Sequence, residues 1–227
     1  YLIFYFFKMA KTPSIATIDG VKVALHNPPE RPTILLAHGW GSSLDTERDF
    51  PGILTHRMLD SGYTVVRFDY PAKDVDSGLE AIDKVMPNLG EGDGIYLVGH
   101  SFGGLLTVLY DDTENVLSGR IALDPLLQTD EQIDQAAEVG MMYERMGVSR
   151  EEFLSAKGRD PYGELSRRKD LKVVLSDETR WSPSDHYAVL ERVENVTKVT
   201  GSSHNFVGLE YKVQDSVEDY INEREAS

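Results

Sequence analysis

The chain has 227 residues and a mass of 25.4 kDa, a size that fits a single domain. Its formal net charge of −15 would repel the phosphates of nucleic acids and of anionic membranes, so neither is an expected partner. The absence of cysteine excludes a disulfide framework, a thiolate nucleophile and a thiolate metal site.

The first seven residues, Tyr1 to Phe7, are apolar and aromatic, and Lys8 follows them. The run lacks a basic segment before it and a cleavage site after it, and it is too short to span a membrane. We therefore expect residues 1–8 to be a non-native or disordered leader, with Met9 as the true start, rather than a truncated signal or an anchor. We accordingly predict a cytoplasmic protein with no stable membrane insertion.

The next part of the chain predicts a β-hairpin and then alternating strands and helices. Residues 14–20 and 21–26 alternate in polarity around Asp19-Gly20, which is a hairpin signal. The elements expected after it are a buried strand at 33–37, a loop at 38–43, a helix from about Pro51 to Gly62, a strand at 63–68 and a helix with a capping box at Ser77–Glu80.

Residues 95–104 have the pattern of a nucleophile elbow. The apolar run Ile95–Val98 predicts a buried strand, and a helical run begins at Leu105. Between them, Gly99-His-Ser-Phe-Gly103 matches G-x-S-x-G. Glycine is expected at both ends of the motif because a side chain there would collide with the neighbouring strand and helix. Ser101 is therefore the predicted nucleophile, raised above the carboxyl edge of the sheet.

The second half of the chain continues the alternation. Strands are predicted at 119–123, 171–175 and 196–200, and a closing helix is predicted at 209–225. Residues 126–170 are polar and contain the capping boxes Thr129–Gln132 and Ser149–Glu152, so we expect a small helical cap inserted in a single domain. The alternation indicates an α/β fold, a mostly parallel sheet with helices on both faces. With its elbow, the chain resembles the α/β-hydrolase superfamily.

A serine nucleophile needs a base and an oxyanion hole. In this superfamily the chain order is serine, acid, histidine. Of the six histidines, His204 follows the last strand and is the predicted base, whereas His38 and His100 are expected to be structural and His26, His56 and His186 to lie in loops or on the surface. The oxyanion donors are expected to be the backbone N–H groups of Phe102 and Trp40, and the Trp40 ring could also line the acyl pocket.

The acid is less clear from the residues alone. It usually follows the strand before the base, four residues ahead of a proline, but the residue at that distance from Pro183 is Thr179. Asp177 lies two residues early, and Glu178 and Asp185 are weaker candidates. Asp124, directly after the strand at 119–123, is the alternative that would also lie on the carboxyl edge.

Three motifs resemble the platelet-activating-factor acetylhydrolase branch of the superfamily: Gly99–Gly104, Ile121–Asp124 and Gly201–Phe206. In that branch the acid follows the strand after the elbow helix, so the resemblance implies Asp124 and favours it over Asp177. The segment at 126–170 departs from the branch, so phospholipid specificity does not carry over.

These residues predict a serine hydrolase that cleaves small carboxylic esters through an acyl-enzyme, with no cofactor and no metal. Short to medium acyl chains are expected because the cap is small. Met141, Met142, Tyr143 and Phe153 of the segment are candidates for the pocket lining, and the equally favoured alternative is that they pack the cap onto the body. Alternatives with the same triad are a thioesterase, a C–C bond hydrolase and a perhydrolase, and an inactive ligand-binding homologue is a further one. A haloalkane dehalogenase is excluded because it needs a carboxylate at position 101.

Overall fold

The computed structural model describes residues 13–26, 32–89, 94–139, 141–177 and 186–226. The predicted leader at 1–8, Met9 and the candidate acids Glu178 and Asp185 lie outside these ranges, as does Thr179. The side chains of Met141 and Met142 also lie outside the description, so their predicted place in the pocket stays a prediction.

The centre of the fold is an eight-stranded sheet in the order β1-β2-β4-β3-β5-β6-β7-β8. The hairpin strands β1 and β2 are antiparallel, β2 pairs antiparallel with β4, and the remaining pairs are parallel. The predicted α/β-hydrolase fold with a mostly parallel sheet is confirmed. The strands are β1 (Ser14–Ile18), β2 (Val21–His26), β3 (Thr33–Ala37), β4 (Thr64–Phe68), β5 (Ile95–His100), β6 (Leu117–Leu123), β7 (Leu171–Ser176) and β8 (Asn195–Val199).

Helices cover both faces of the sheet. Outside the segment between β6 and β7, they are α1 (Phe50–Asp60), α2 (Val75–Val85), α3 (Phe102–Leu109), α8 (His186–Arg192) and α9 (Glu210–Glu225), and a short 3-10 turn (Met86–Asn88) follows α2. Helices α1 and α9 pack on one face with Ile34 and Leu36 of β3, and α2 and α3 pack on the other with Leu35 and Ala37. Successive side chains of β3 therefore enter opposite cores, which is why its sequence is a continuous apolar run.

The described residues between β6 and β7 form four helices: α4 (Asp130–Val139), α5 (Met141–Arg145), α6 (Arg150–Leu154) and α7 (Pro161–Arg167). Both capping boxes predicted in this segment are present. Thr129 and Gln132 exchange hydrogen bonds of 2.9 and 3.3 Å, and Ser149 and Glu152 exchange bonds of 2.7 and 3.1 Å. The role of the segment as a cap over the site stays a prediction.

Two local predictions were wrong. The capping box predicted at Ser77–Glu80 does not start helix α2, which begins at Val75 with Asp74 as its N-cap. The Asp74 carboxylate accepts a 2.8 Å bond from the Ser77 N–H. Asp74 is as good an N-cap residue as Ser77 and lies earlier, so the helix starts there. His26, expected in a loop or on the surface, is the buried last residue of β2.

Candidate active site

The turn between β5 and α3 holds Ser101 in a strained conformation. Its backbone has φ 58° and ψ −114°, a region that L-residues rarely adopt. A Cβ atom on Gly99 would lie 2.0 Å from the Gly103 carbonyl oxygen, and one on Gly103 would lie 2.1 Å from the Ala37 carbonyl oxygen. Only glycine allows these close approaches, as the sequence predicted, and the result is a half-buried serine at the N-terminus of a helix.

Three side chains from different loops form one hydrogen-bonded chain. His204 Nε2 lies 3.0 Å from Ser101 Oγ, and His204 Nδ1 lies 2.6 Å from Asp124 Oδ2. With a neutral imidazole, Nδ1–H donates to the carboxylate and Nε2 accepts from the serine hydroxyl. The arrangement can therefore take a proton from Ser101 while the carboxylate faces the resulting imidazolium.

Asp124 is fully buried and is held from the neighbouring strand. Its Oδ1 accepts a 3.0 Å bond from the Ser176 N–H, and its Oδ2 accepts a 2.9 Å bond from the Ser176 hydroxyl. Burial works to raise the pKa of Asp124, but the hydrogen bonds and charge of His204 and the bonds from Ser176 outweigh it, so the pKa lies below its ordinary value. The carboxylate is thus ionised and fixed toward His204.

Asp177, the other candidate for the triad acid, contacts groups other than His204. Its Oδ2 accepts a 3.0 Å bond from the Gly201 N–H, and its Oδ1 lies 2.9 Å from Lys198 Nζ. Its backbone N–H donates to Ser202. Asp177 therefore fastens the loop that leads to His204, and the structure brings Asp124, not Asp177, to the imidazole.

His100 contacts the same loop through a hydrogen bond to its backbone. Its Nε2–H donates a 2.9 Å hydrogen bond to the His204 carbonyl oxygen, and the Phe50 ring packs edge-on against it at 4.8 Å. Burial, followed by the charge of His204, lowers the pKa of His100 to about 3. In neutral His100 the Nε2–H group donates to the His204 carbonyl oxygen and holds the loop, in agreement with the structural role predicted for this histidine.

The loop after β3 packs against the serine. A Cβ on Gly39 would lie 3.3 Å from Ser101 Cβ, so the loop backbone passes directly beside the nucleophile. The Trp40 ring stacks on the Phe102 ring at 4.7 Å, and the Trp40 indole N–H donates a 2.9 Å bond to the Lys73 carbonyl oxygen. The N–H of Phe102, at the first position of α3, has no carbonyl partner within its helix. The two predicted oxyanion donors therefore lie on adjoining segments beside Ser101.

A cleft of about 430 Å³ opens over Ser101 and His204. Tyr143 and Phe153 are not among the described residues that line it. They are buried, with their rings stacked at 5.2 Å, and Phe153 packs on Trp40 at 5.5 Å. A place in the lining was therefore wrong for these two residues, and the alternative prediction, packing of the segment onto the body, describes them. The apolar lining comes instead from Trp40, Phe50, Pro51, Ile53, Met146 and Val207.

Sequence reasoning missed Ser176 and the fastening of the His204 loop by Asp177. It also missed the apolar lining residues Phe50, Pro51, Ile53, Met146 and Val207. Ser176 ends β7, and a polar residue at the carboxyl end of a parallel strand is a usable signal. The described residues contain no group of three or more histidine or acidic side chains that could hold a metal ion. No helix among them is long and apolar enough to cross a membrane.

A sequence profile described as Alpha/beta hydrolase family matches residues 34–184, which is more than half of the chain. The chain belongs to the alpha/beta hydrolase family. The match includes the elbow, Asp124 and the segment between β6 and β7, whereas His204 lies beyond its end. No curated protein sequence matches this hydrolase.

Solved structures that resemble this hydrolase share its fold at low identity. Est1E from Butyrivibrio proteoclasticus has a TM-score of 0.74 and 18% identity over 96% of this chain and 100% of its own. GrgF from Penicillium sp. sh18 has a TM-score of 0.73 and 14% identity over 95% and 99%. A membrane phospholipase A, a bacterial virulence factor, has a TM-score of 0.66 and 14% identity over 95% and 87%. The platelet-activating-factor acetylhydrolase branch is not among the relatives shown, so that assignment stays a prediction.

Proposed function

We propose that the protein is a serine hydrolase that cleaves small carboxylic esters, with Ser101 as nucleophile, His204 as base and Asp124 as the acid behind it. The observation that carries the proposal is the continuous hydrogen-bonded chain from the buried Asp124 through His204 to Ser101, at the floor of a cleft. A triad is recognised by this geometry and by the role each group can take.

Ser101 attacks the acyl carbon of the ester, and His204 takes the serine proton as the bond forms. The imidazolium then returns that proton to the leaving alcohol, which departs and leaves an acyl-serine. Water hydrolyses the acyl-enzyme by the same route, with His204 again as base. Asp124 keeps Nδ1 protonated and stabilises the imidazolium in both halves of the reaction.

The oxyanion that develops in each half is bound by the N–H groups of Phe102 and Trp40. Phe102 N–H lies at the start of α3, where the helix dipole also favours negative charge. Each donor contributes about 3 kcal/mol to transition-state stabilisation. The strained backbone of Ser101 supports this role, because in a nucleophile elbow the residue after the serine supplies an oxyanion donor.

The size of the cleft supports short to medium acyl chains. About 430 Å³ is toward the low end of ligand pockets, and the cleft has apolar walls beside the serine. Est1E has been solved with ferulic acid bound, which shows that a small aromatic acid fits a related fold. By analogy, a small-molecule ester is the expected substrate.

The decisive experiment compares Ser101→Ala with the wild-type protein on a series of p-nitrophenyl esters. Ser101→Ala should lower kcat by about four orders of magnitude or more, since the covalent step is removed. A matched control is Ser166→Ala, an exposed serine on α7 whose loss should leave kcat unchanged. Wild-type activity should fall for acyl chains beyond about twelve carbons because of the cleft volume.

Retention of esterase activity by Ser101→Ala would show that the proposal is wrong. Labelling with a fluorophosphonate separates the remaining alternatives. Absence of label at Ser101 in the folded protein would favour a ligand-binding homologue. If Ser101 is labelled but thioesters are cleaved faster than matched oxygen esters, the same triad serves a thioesterase.

A further inference from the structure

Lys73 lies on the loop between β4 and α2, where the hydrolase body meets the helical segment at 130–167. Its backbone N–H donates a 2.8 Å hydrogen bond to Glu152 Oε1 of α6. Its backbone carbonyl accepts the 2.9 Å bond from the Trp40 indole N–H. One residue therefore joins the segment to the loop that carries a proposed oxyanion donor.

The Lys73 side chain makes a further connection to the segment. Its ammonium group donates to the carbonyl oxygens of Gly147 and Met146, at 3.3 and 3.4 Å. Both carbonyls belong to the turn between α5 and α6, and Met146 lines the cleft. The ammonium group therefore holds the turn that carries Met146, a residue of the cleft lining.

The contacts around Lys73 reinforce the connection. Glu152 Oε2 accepts a bond from the Ser149 N–H, so its carboxylate bridges the start of α6 and Lys73. The bond from the Ser149 N–H has the largest effect on Glu152 and lowers its pKa; burial opposes this less strongly, and the bond from the Lys73 N–H lowers the pKa further. Ser155 Oγ accepts a 2.9 Å bond from the N–H of Val75, the first residue of α2 and two residues after Lys73. The carboxylate stays ionised and the segment is fastened at several adjacent points.

The Trp40 ring lies between the body and the segment. Phe102 stacks on it at 4.7 Å, and Phe153 of α6 packs on it at 5.5 Å. Trp40 is buried, so its ring position is set by these neighbours and by the Lys73 carbonyl. A displacement of α6 would therefore be transmitted to the loop after β3, which carries Trp40.

We infer that Lys73 is a positioning residue through which the helical segment at 130–167 sets the Trp40 oxyanion donor and the Met146 wall of the cleft. The inference rests on the proposed function, since it assigns Trp40 N–H to the oxyanion. It adds that the segment contributes to the rate of the chemical step as well as covering apolar surface. Docking of the segment and formation of a competent oxyanion hole are then one event.

The test is Lys73→Met, which removes the ammonium group and keeps the apolar stem and both backbone bonds. With p-nitrophenyl acetate, kcat should fall about tenfold or more with KM within about twofold, as a displaced donor loses part of the 10²–10³-fold that full removal costs. Lys73→Arg should restore kcat to within about threefold, because guanidinium can donate to the same two carbonyls. The matched control is Lys157→Met, which breaks an ion pair with Asp134 inside the segment and should leave kcat unchanged.

Glu152→Gln is the second variant, and it decides the matter if Lys73→Met does not fold. Its amide has one acceptor oxygen for the two N–H groups that the carboxylate serves, so the tie to Lys73 or Ser149 is lost and kcat should again fall with KM unchanged. A folded Lys73→Met or Glu152→Gln protein with wild-type kcat, or an unrescued Lys73→Arg, would overturn the inference. If instead the wild-type protein shows no esterase activity that depends on Ser101, the proposed function itself fails.

Discussion

At the scale of single residues, the acid behind His204 shows how two similar carboxylates acquire different surroundings. Asp124 has φ 39°, a left-handed conformation that aspartate tolerates, and this turns its side chain under the imidazole. Ser176 then supplies two donors to the carboxylate. Asp177 is the next residue along the chain, but its carboxylate contacts Gly201 and Lys198. We therefore expect only one of the two to affect catalysis.

The substitutions Asp124→Asn and Asp177→Asn test this expectation. Asp124→Asn should lower kcat by about three to four orders of magnitude at neutral pH, since an amide favours the wrong tautomer of His204. Asp177→Asn keeps an acceptor for the Gly201 N–H and should change kcat by less than about threefold, because the ion pair it breaks with Lys198 is partly exposed. Steady-state kinetics of the two purified variants measures both, and the reverse order of effects would assign the acid to Asp177.

At the scale of elements, the junction of β5 and α3 depends on close approach of backbones. Gly103 lies against the end of β3, and Gly104 lies against Pro125 after β6, so α3 sits directly on the sheet. The same closeness brings the N-terminus of α3 next to the loop after β3. The packing that stabilises the fold and the geometry of the proposed oxyanion hole thus have a common origin.

Gly103→Ala should destabilise the protein by more than about 3 kcal/mol, because its methyl group would overlap the Ala37 carbonyl and force backbone movement. Gly41→Ala is the control, since a Cβ there meets no atom within 4 Å. Its free energy of unfolding should stay within about 0.5 kcal/mol of the wild-type value. Urea unfolding monitored by tryptophan fluorescence gives both free energies, and equal values for the two variants would contradict the close approach.

At the scale of the whole molecule, stability should depend on pH through buried histidines. Burial, followed by the charge of Arg67, lowers the pKa of His26 to about 4, and burial lowers that of His100 to about 3, from an ordinary 6.5. Both are neutral in the fold and would protonate in the unfolded chain at higher pH. The stability they contribute is thus fully present above about pH 6.5 and is lost as the pH falls toward the folded pKa values.

Between pH 6.5 and about 4 the free energy of unfolding should therefore decrease by roughly 1.4 kcal/mol per pH unit for each of the two histidines. Urea unfolding at about pH 7 and about pH 5 measures the slope. His26→Gln should remove one histidine's share of it. A slope that is the same in wild type and His26→Gln would show that His26 is not buried in the neutral form.

The local pattern of the sequence determined the strands, the elbow and two of the three members of the proposed triad. Apolar runs, glycines at close approaches and the chain order of serine and histidine are all short-range signals, which is why the amino-acid sequence alone sufficed to choose Ser101 and His204. The motif resemblance favoured Asp124 as the proposed acid, but only the tertiary structure shows which groups its carboxylate contacts, Ser176 across 52 residues of chain and His204 across 80. It also decided that Tyr143 stacks on Phe153, that Phe153 packs on Trp40, and that Lys73 joins the helical segment to the loop that carries Trp40. These depend on which side chains face one another across packed elements, and no local pattern records that.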